Sequence, residues 1–204
     1  MSPGRLEAFS DGVIAVAITL LVLDIHVPNP GGSLAHELGQ MWPNYLALVT
    51  SFVTIGIIWI NHHAMIGRLR AIDHTLMILN LLLLLTIVIL PFTTSLVAEY
   101  VRESSGQHLA AAVYAGSFLV MALAFSATQR HILISRPGLL RTELSEAERR
   151  RILSRALTGL VPYAVATAIA SLSAYATLLI CVAIAAYYAS PFASSSERPD
   201  QPTG

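Results

Sequence analysis

The sequence predicts an all-α integral membrane protein with six transmembrane helices. Three observations carry that expectation. The 204 residues are 55% hydrophobic and only 12% charged, with a mean hydropathy of +0.66, whereas soluble domains average about 25% charged residues. Apolar runs recur at membrane-spanning length. The twelve cationic side chains, all arginine, segregate to alternate loops. The same composition excludes other classes. A net charge of zero is not the basic footprint of a nucleic-acid binder, and the hydrophobic content is too high for a disordered chain. The lone Cys181, set in an apolar run, supports neither a disulfide framework nor a thiolate metal cluster.

Taken in order, residues 9–27, 41–60, 75–98 and 109–128 each supply the roughly 20 apolar residues that a crossing needs. The next apolar run, 157–189, is 33 residues long. As one helix it would measure about 50 Å against a hydrocarbon core of about 30 Å. It is therefore read as two short spans, 152–170 and 173–189, divided near Ser171–Ser173, with Arg155 snorkelling from the first. Pro162 is tolerable inside a membrane helix, and Pro91 is expected to kink the third span, with Thr93 and Thr94 answering the freed carbonyls. Ser2 and Pro3 suit the cap and first position of a helix that begins before residue 9. Residues 28–40 read as a Pro/Gly-rich loop. Ser145 and Glu148 have the spacing of a capping box, opening a short amphipathic helix that carries Arg149–Arg151. The tail, 190–204, is Ser/Pro-rich and reads as disordered.

Arginine placement orients this layout. Arg5, Arg68, Arg70, Arg130, Arg136, Arg141, Arg149, Arg150, Arg151, Arg155 and Arg198 fall on one side of the six spans and only Arg102 on the other. That asymmetry places both termini in the cytoplasm. The N-terminus lacks the basic region and cleavage site of a removable signal peptide. Exclusive use of arginine points to a GC-rich bacterial genome and so to the plasma membrane.

Polar groups inside a span are functional candidates by default. The first span holds Arg5, Glu7, Ser10 and Asp11 at its inner end, Thr19 further along and Asp24 at its outer end. At about 100° per residue, Phe9, Gly12, Val16, Leu20 and Leu23 share a stripe. Thr19 lies about 60° to one side of Val16 and Asp11 about 140° away. Periodicity leaves open whether the stripe meets lipid or something else. The second span closes on Trp59, Asn61, His62 and His63. Adjacent histidines do not share a helix face and no metal-ligand spacing accompanies them, so hydrogen bonding among spans one to three, with Asn80, is the expected role. There is no catalytic constellation, no cofactor motif and no resident metal site; an enzyme is not expected.

Arg5, Phe9, Ser10 and Asp11 form an R-x-x-x-F-S-D motif. With Thr19 and Asp24 beyond it, and Trp59, His62 and His63 closing span two, the chain resembles prokaryotic members of the transmembrane protein 175 family of potassium channels. The resemblance is residue-specific in spans one and two and extends to spans four to six only as hydropathy. It implies a homotetramer in which helix one lines a central pore, with potassium ions and the lipid bilayer as the other partners. Offset from Asp11 places the apolar constriction on Val16, Leu20 and Leu23, and the ion-preference ring on Thr19. Val16 is smaller than the Ile or Leu often found at that constriction, which moves the narrowest ring toward Leu20 or Leu23. The resemblance also implies that Arg5, Phe9, Ser10 and Asp11 tie helix one to spans two and three.

These features imply a passive channel of modest potassium selectivity, gated by apolar side chains, with Asp24 and His26 at the outer mouth. Asp11 either attracts cations at the inner mouth or is neutralised by Arg5. The alternative from another class is a proton-coupled secondary transporter using Asp11 with His62 or His63, although no inverted repeat or interrupted midplane helix marks one. A subunit whose polar cluster only assembles the bundle is the third reading.

Overall fold

The structure is a computed structural model that describes residues 2–28 and 33–190. Among these the chain forms nine α-helices. Helix α1 runs Pro3–Leu20 and tightens into a 3₁₀ turn over Leu21–Asp24. It thus begins six residues before the expected span 9–27 and leaves helical geometry before its end. Pro3 has the fixed φ that suits a first turn, and Pro28 disfavours helical geometry in the residue before it. Ser2 occupies the cap position with extended backbone but makes no side-chain cap bond. The region read as a loop contains a short helix, α2 (Leu34–Gln40), which follows Ser33.

Helix α3 (Trp42–Gly67) extends seven residues past the expected end at 60, so His62 and His63 lie within it. Asp73 caps α4 (His74–Val88), its side chain accepting from the Leu76 N–H at 2.8 Å. The helix then breaks at Ile89 and resumes as α5 (Leu90–Tyr100), with Pro91 in its first turn. Thr93 and Thr94 donate to the Leu90 carbonyl at 3.1 and 2.7 Å. Contrary to expectation they do not answer the carbonyl of Ile87, four residues before Pro91, because Leu90 is the carbonyl within reach of both hydroxyls. Gly106 precedes α6 (Gln107–Arg130) at φ +89°; a Cβ there would stand 2.9 Å from the Tyr100 ring.

A π-helical turn, His131–Ser135, ends α6. The Ser145 capping box forms in both directions. The helix it opens, α7 (Glu146–Thr158), is not a separate amphipathic segment but continues past Gly159 into α8 (Leu160–Ile169). After a turn at 170–173, α9 runs Ala174–Ala189, capped by Ser173. Residues 191–204, most of the expected disordered tail, lie outside the described residues.

Among the described residues five helical runs are long and apolar enough to cross a membrane, and α9 is a shorter apolar helix. Helix α6 is central and packs against α4, α5, α8 and α9, while α1 lies against α3 and α4. Without a hydrophobic force between helices in lipid, packing and buried hydrogen bonds hold such a bundle. Tyr114 and Phe118 of α6, fully buried, pack edge-to-face with centroids 4.8 Å apart. Ser51 joins Thr94 at 2.8 Å and Tyr114 at 3.0 Å, linking α3, α5 and α6. Trp42 stacks on Tyr175 with centroids 6.4 Å apart, tying α3 to α9.

Candidate functional site

Helix α1 has one face toward the bundle and one away. Leu6, Ser10, Ile14, Ala17 and Leu21 are buried, at steps of three and four residues that put them on one stripe. On the other side Phe9, Val16, Leu20 and Leu23 are 49%, 58%, 40% and 70% exposed. Gly12 and Thr19 are exposed as well. The stripe given by the 3.6-residue period is therefore the face that no other helix among the described residues covers. The Thr19 hydroxyl donates to the Val16 carbonyl at 2.8 Å. Its proton is used within the helix, so the oxygen lone pairs are what the side chain offers outward.

The N-terminal half of α1 is fastened by three polar contacts. In the first, the Ser10 hydroxyl donates to the Leu6 carbonyl at 2.9 Å and accepts from Asn80 Nδ2 at 3.0 Å. Asn80 Oδ1 accepts in turn from His62 Nε2 at 2.8 Å, which puts that ring proton on Nε2. Ser10, His62 and Asn80 are fully buried, and an unpaired polar group there would be costly. In the second, Trp59 Nε1 donates to Asp11 Oδ1 at 2.9 Å. In the third, His63 Nδ1 lies 2.9 Å from Glu7 Oε1. Being adjacent on α3, His62 and His63 point about 100° apart, one to Asn80 of α4 and the other to α1.

Of the four motif residues, Ser10 and Asp11 thus reach α4 and α3 within one chain. Arg5 and Phe9 are exposed, and Arg5 makes no ion pair among the described residues. Within the subunit Asp11 is accordingly not paired with Arg5; the indole N–H of Trp59 donates to it. Nor is Asp11 hydrogen-bonded to either histidine, so the pairing that the transporter reading requires is not formed. The side chain of Asp24 lies outside the description, and His26 is exposed.

Several contacts had no local signal in the sequence. Glu7 and His63 meet across 56 positions of sequence. At the arginine-rich end, His131 Nε2 sits 3.0 and 2.9 Å from the two oxygens of Asp73, and Arg136 Nε is 3.9 Å from the second oxygen. Partial burial acts to raise the Asp73 carboxyl, but the Leu76 N–H, the His131 ring and the Arg136 charge outweigh it and hold the group below the usual carboxylate value. Leu69 and Leu140 form an isolated antiparallel bridge.

Fold and site together define an all-α integral membrane protein whose first helix is anchored through its N-terminal half and open along an apolar face. The comparisons with known proteins name the family. The sequence pattern of the family described as endosomal/lysosomal potassium channel TMEM175 matches residues 5–91. A potassium channel of Streptomyces collinus is 46% identical over 191 residues, covering 91% of this chain and 90% of that one. A potassium channel of Chamaesiphon minutus is 38% identical over 190 residues, covering 91% and 93%. The crystal structure of a lysosomal potassium-selective channel TMEM175 homolog from Chamaesiphon minutus superposes with a TM-score of 0.83 at 36% identity, over 96% of this chain and 98% of that one. The endosomal/lysosomal proton channel TMEM175 of Gallus gallus is 40% identical over 117 residues, 52% of this chain but 23% of that protein. The chain belongs to the TMEM175 family.

Proposed function

We infer that the protein is a passive cation channel of modest potassium selectivity, and not an enzyme. The observation that carries this reading is the division of α1 into an anchored polar side and an open apolar side. Exposed leucines and a valine could equally face lipid. The likeness over nearly the whole chain to relatives named potassium channels favours a shared pore, with four copies bringing their α1 helices to one axis. Six spans per subunit then leave both termini in the cytoplasm, and the plasma membrane is the expected location.

In that assembly Val16, Leu20 and Leu23 form successive apolar rings. An ion crossing such a ring finds no replacement for its hydration shell, so the pore closes by dewetting. Opening requires the α1 helices to rotate or splay until water re-enters. The anchor made by Ser10, Asp11 and Glu7 makes the N-terminal half the fixed end of that motion. Preference among cations comes from pore width, from the cost of dehydration and from the Thr19 oxygens, whose lone pairs suit a cation. A ring of Asp24 carboxylates at the outer mouth would raise local cation concentration.

Ion flux through the purified protein in liposomes, with K⁺, Na⁺ and H⁺ compared at clamped membrane potential, tests this function. The expected result is passive current whose reversal potential shifts toward that of K⁺. Flux that appears only under an imposed proton gradient would replace the channel with a coupled transporter.

A further inference from the structure

The two arginine-bearing loops at one end of the bundle are locked to each other. Around the Leu69–Leu140 bridge, the Arg70 N–H donates to the Leu139 carbonyl and the Arg141 N–H to the Arg68 carbonyl, both at 2.8 Å. Side chains repeat the bridge: Arg70 Nε donates to the Gly138 carbonyl at 2.9 Å and Arg141 Nε to the Leu69 carbonyl at 2.7 Å. Leu69 and Leu140 are buried beneath. A pair of surface loops would ordinarily be mobile; here six residues are held in register by backbone pairing.

Beside the bridge lies an open groove of about 460 Å³, within the usual size range of small-molecule sites. Its polar lining is Arg68, Arg141 and Thr142, and its apolar lining is Leu140, Leu144 and Ile152. No carboxylate lines it among the described residues. Elsewhere at this end Arg136 pairs with Asp73 and Arg150 with Glu146, while Arg70 and Arg149 are bonded to backbone carbonyls. Arg68 makes no side-chain hydrogen bond or ion pair among the described residues. Arg141, held by its Nε, has no partner for its terminal nitrogens among the described residues. One held guanidinium, that of Arg141, and one exposed guanidinium, that of Arg68, therefore line an opening with no carboxylate among its described lining residues. The groove also abuts Gly67, the last residue of a membrane-length helix, so it sits where hydrocarbon gives way to water.

We propose that this groove binds the anionic headgroup of a glycerophospholipid from the adjoining leaflet. A phosphodiester accepts paired hydrogen bonds from a guanidinium fork, with the Thr142 hydroxyl as a third donor. The glycerol and upper acyl carbons lie along Leu140, Leu144 and Ile152. Basic pockets between membrane helices recur as sites for acidic headgroups. Because the groove bridges the loop after α3 to the segment before α7 and to Ile152 within it, an occupied site would hold these elements together.

The test is a titration of the purified full-length chain in neutral detergent, with bound lipid counted by native mass spectrometry. The probes are dioleoylphosphatidylglycerol, dioleoylphosphatidylcholine and inorganic phosphate. The proposal expects saturable binding of the phosphatidylglycerol, about tenfold weaker in Arg68→Gln, as befits a lost charge-assisted contact. Arg141→Lys keeps the charge but loses the fork and weakens binding severalfold. Arg130→Gln removes the same charge from an exposed position outside the groove and changes affinity less than twofold. Equal losses in Arg68→Gln and Arg130→Gln would overturn the site in favour of diffuse attraction. Phosphatidylcholine binding as tight as phosphatidylglycerol, or full competition by millimolar phosphate, would overturn the lipid assignment.

Discussion

The indole N–H of Trp59 is bonded to the carboxylate of Asp11 at 2.9 Å, and this contact holds α1 at the point where its polar and apolar faces meet. Asp11 is partly exposed and Trp59 is 41% exposed, so the bond lies at the margin of the subunit. Trp59→Phe keeps the ring and removes the donor. The expected loss is about 1 kcal/mol, between the small average for polar contacts within membrane bundles and the larger value for bonds to charged groups. Thermal unfolding of the purified protein in detergent measures it; an unchanged midpoint would mean that the contact does not hold α1.

Asn80 carries more. Its amide both donates to Ser10 and accepts from His62, with all three residues fully buried. Asn80→Leu leaves the His62 Nε2–H without an acceptor, at about 1–3 kcal/mol for such an unsatisfied group, while Ser10 keeps its bond to the Leu6 carbonyl. The variant should unfold at lower temperature by more than Trp59→Phe does. In a double-mutant cycle, Asn80→Leu and His62→Leu should be strongly non-additive because they share one bond. Additive losses would place the energy elsewhere.

On the open face, Leu23→Ala should raise single-channel conductance and increase the fraction of time open, since smaller side chains leave a wider opening that wets more readily. Leu20→Ala should act in the same direction, and comparing the two locates the narrower ring. Thr19→Val removes the oxygen while keeping the shape and should lower the K⁺/Na⁺ permeability ratio several-fold. Reversal potentials under bi-ionic conditions provide that ratio. Currents unaltered by all three substitutions would assign this face to lipid.

The Asp73 carboxyl, held below its usual value in the folded protein, gives a stability term of definite sign. A depressed folded-state value means the unfolded chain binds the proton more readily. The contribution is therefore complete above the ordinary carboxylate value of about 3.9 and is lost as pH falls through the lower folded value. Asp73→Asn retains a capping side chain for α4 but cannot ionise. The difference in thermal midpoint between the parent and Asp73→Asn should be constant near neutrality and shrink below about pH 4. A difference independent of pH would remove the ionised Asp73 carboxylate as its source.

Much of this molecule follows from quantities that a linear sequence displays. Membrane character is a matter of composition, and the approximate spans follow from run length against bilayer thickness. The open stripe of α1 could be drawn from the angle per residue, because a helix converts spacing directly into direction. Boundaries were less legible. α3 passes through Asn61, His62 and His63 because backbone bonding within a helix tolerates polar side chains that find partners; the polarity of Asn80 at membrane depth marked it as one such partner, whereas nothing local announces that Glu7 meets His63.

Those partners are what tertiary structure alone decided. Ser10 meets Asn80 and Asp11 meets Trp59 across 70 and 48 positions, and Arg141 reaches the Leu69 carbonyl across 72. Hydropathy and periodicity act over one or two helical turns, so they determine which residues turn inward but not which inward residues face each other. That choice belongs to helix packing, where pairing most buried polar groups selects one arrangement, although His62 Nδ1 and Arg149 Nε are left without a partner. The sequence therefore set the membrane helices and the two faces of α1. Packing chose the partners that hold the polar face, and brought Arg68 and Arg141 together at one groove.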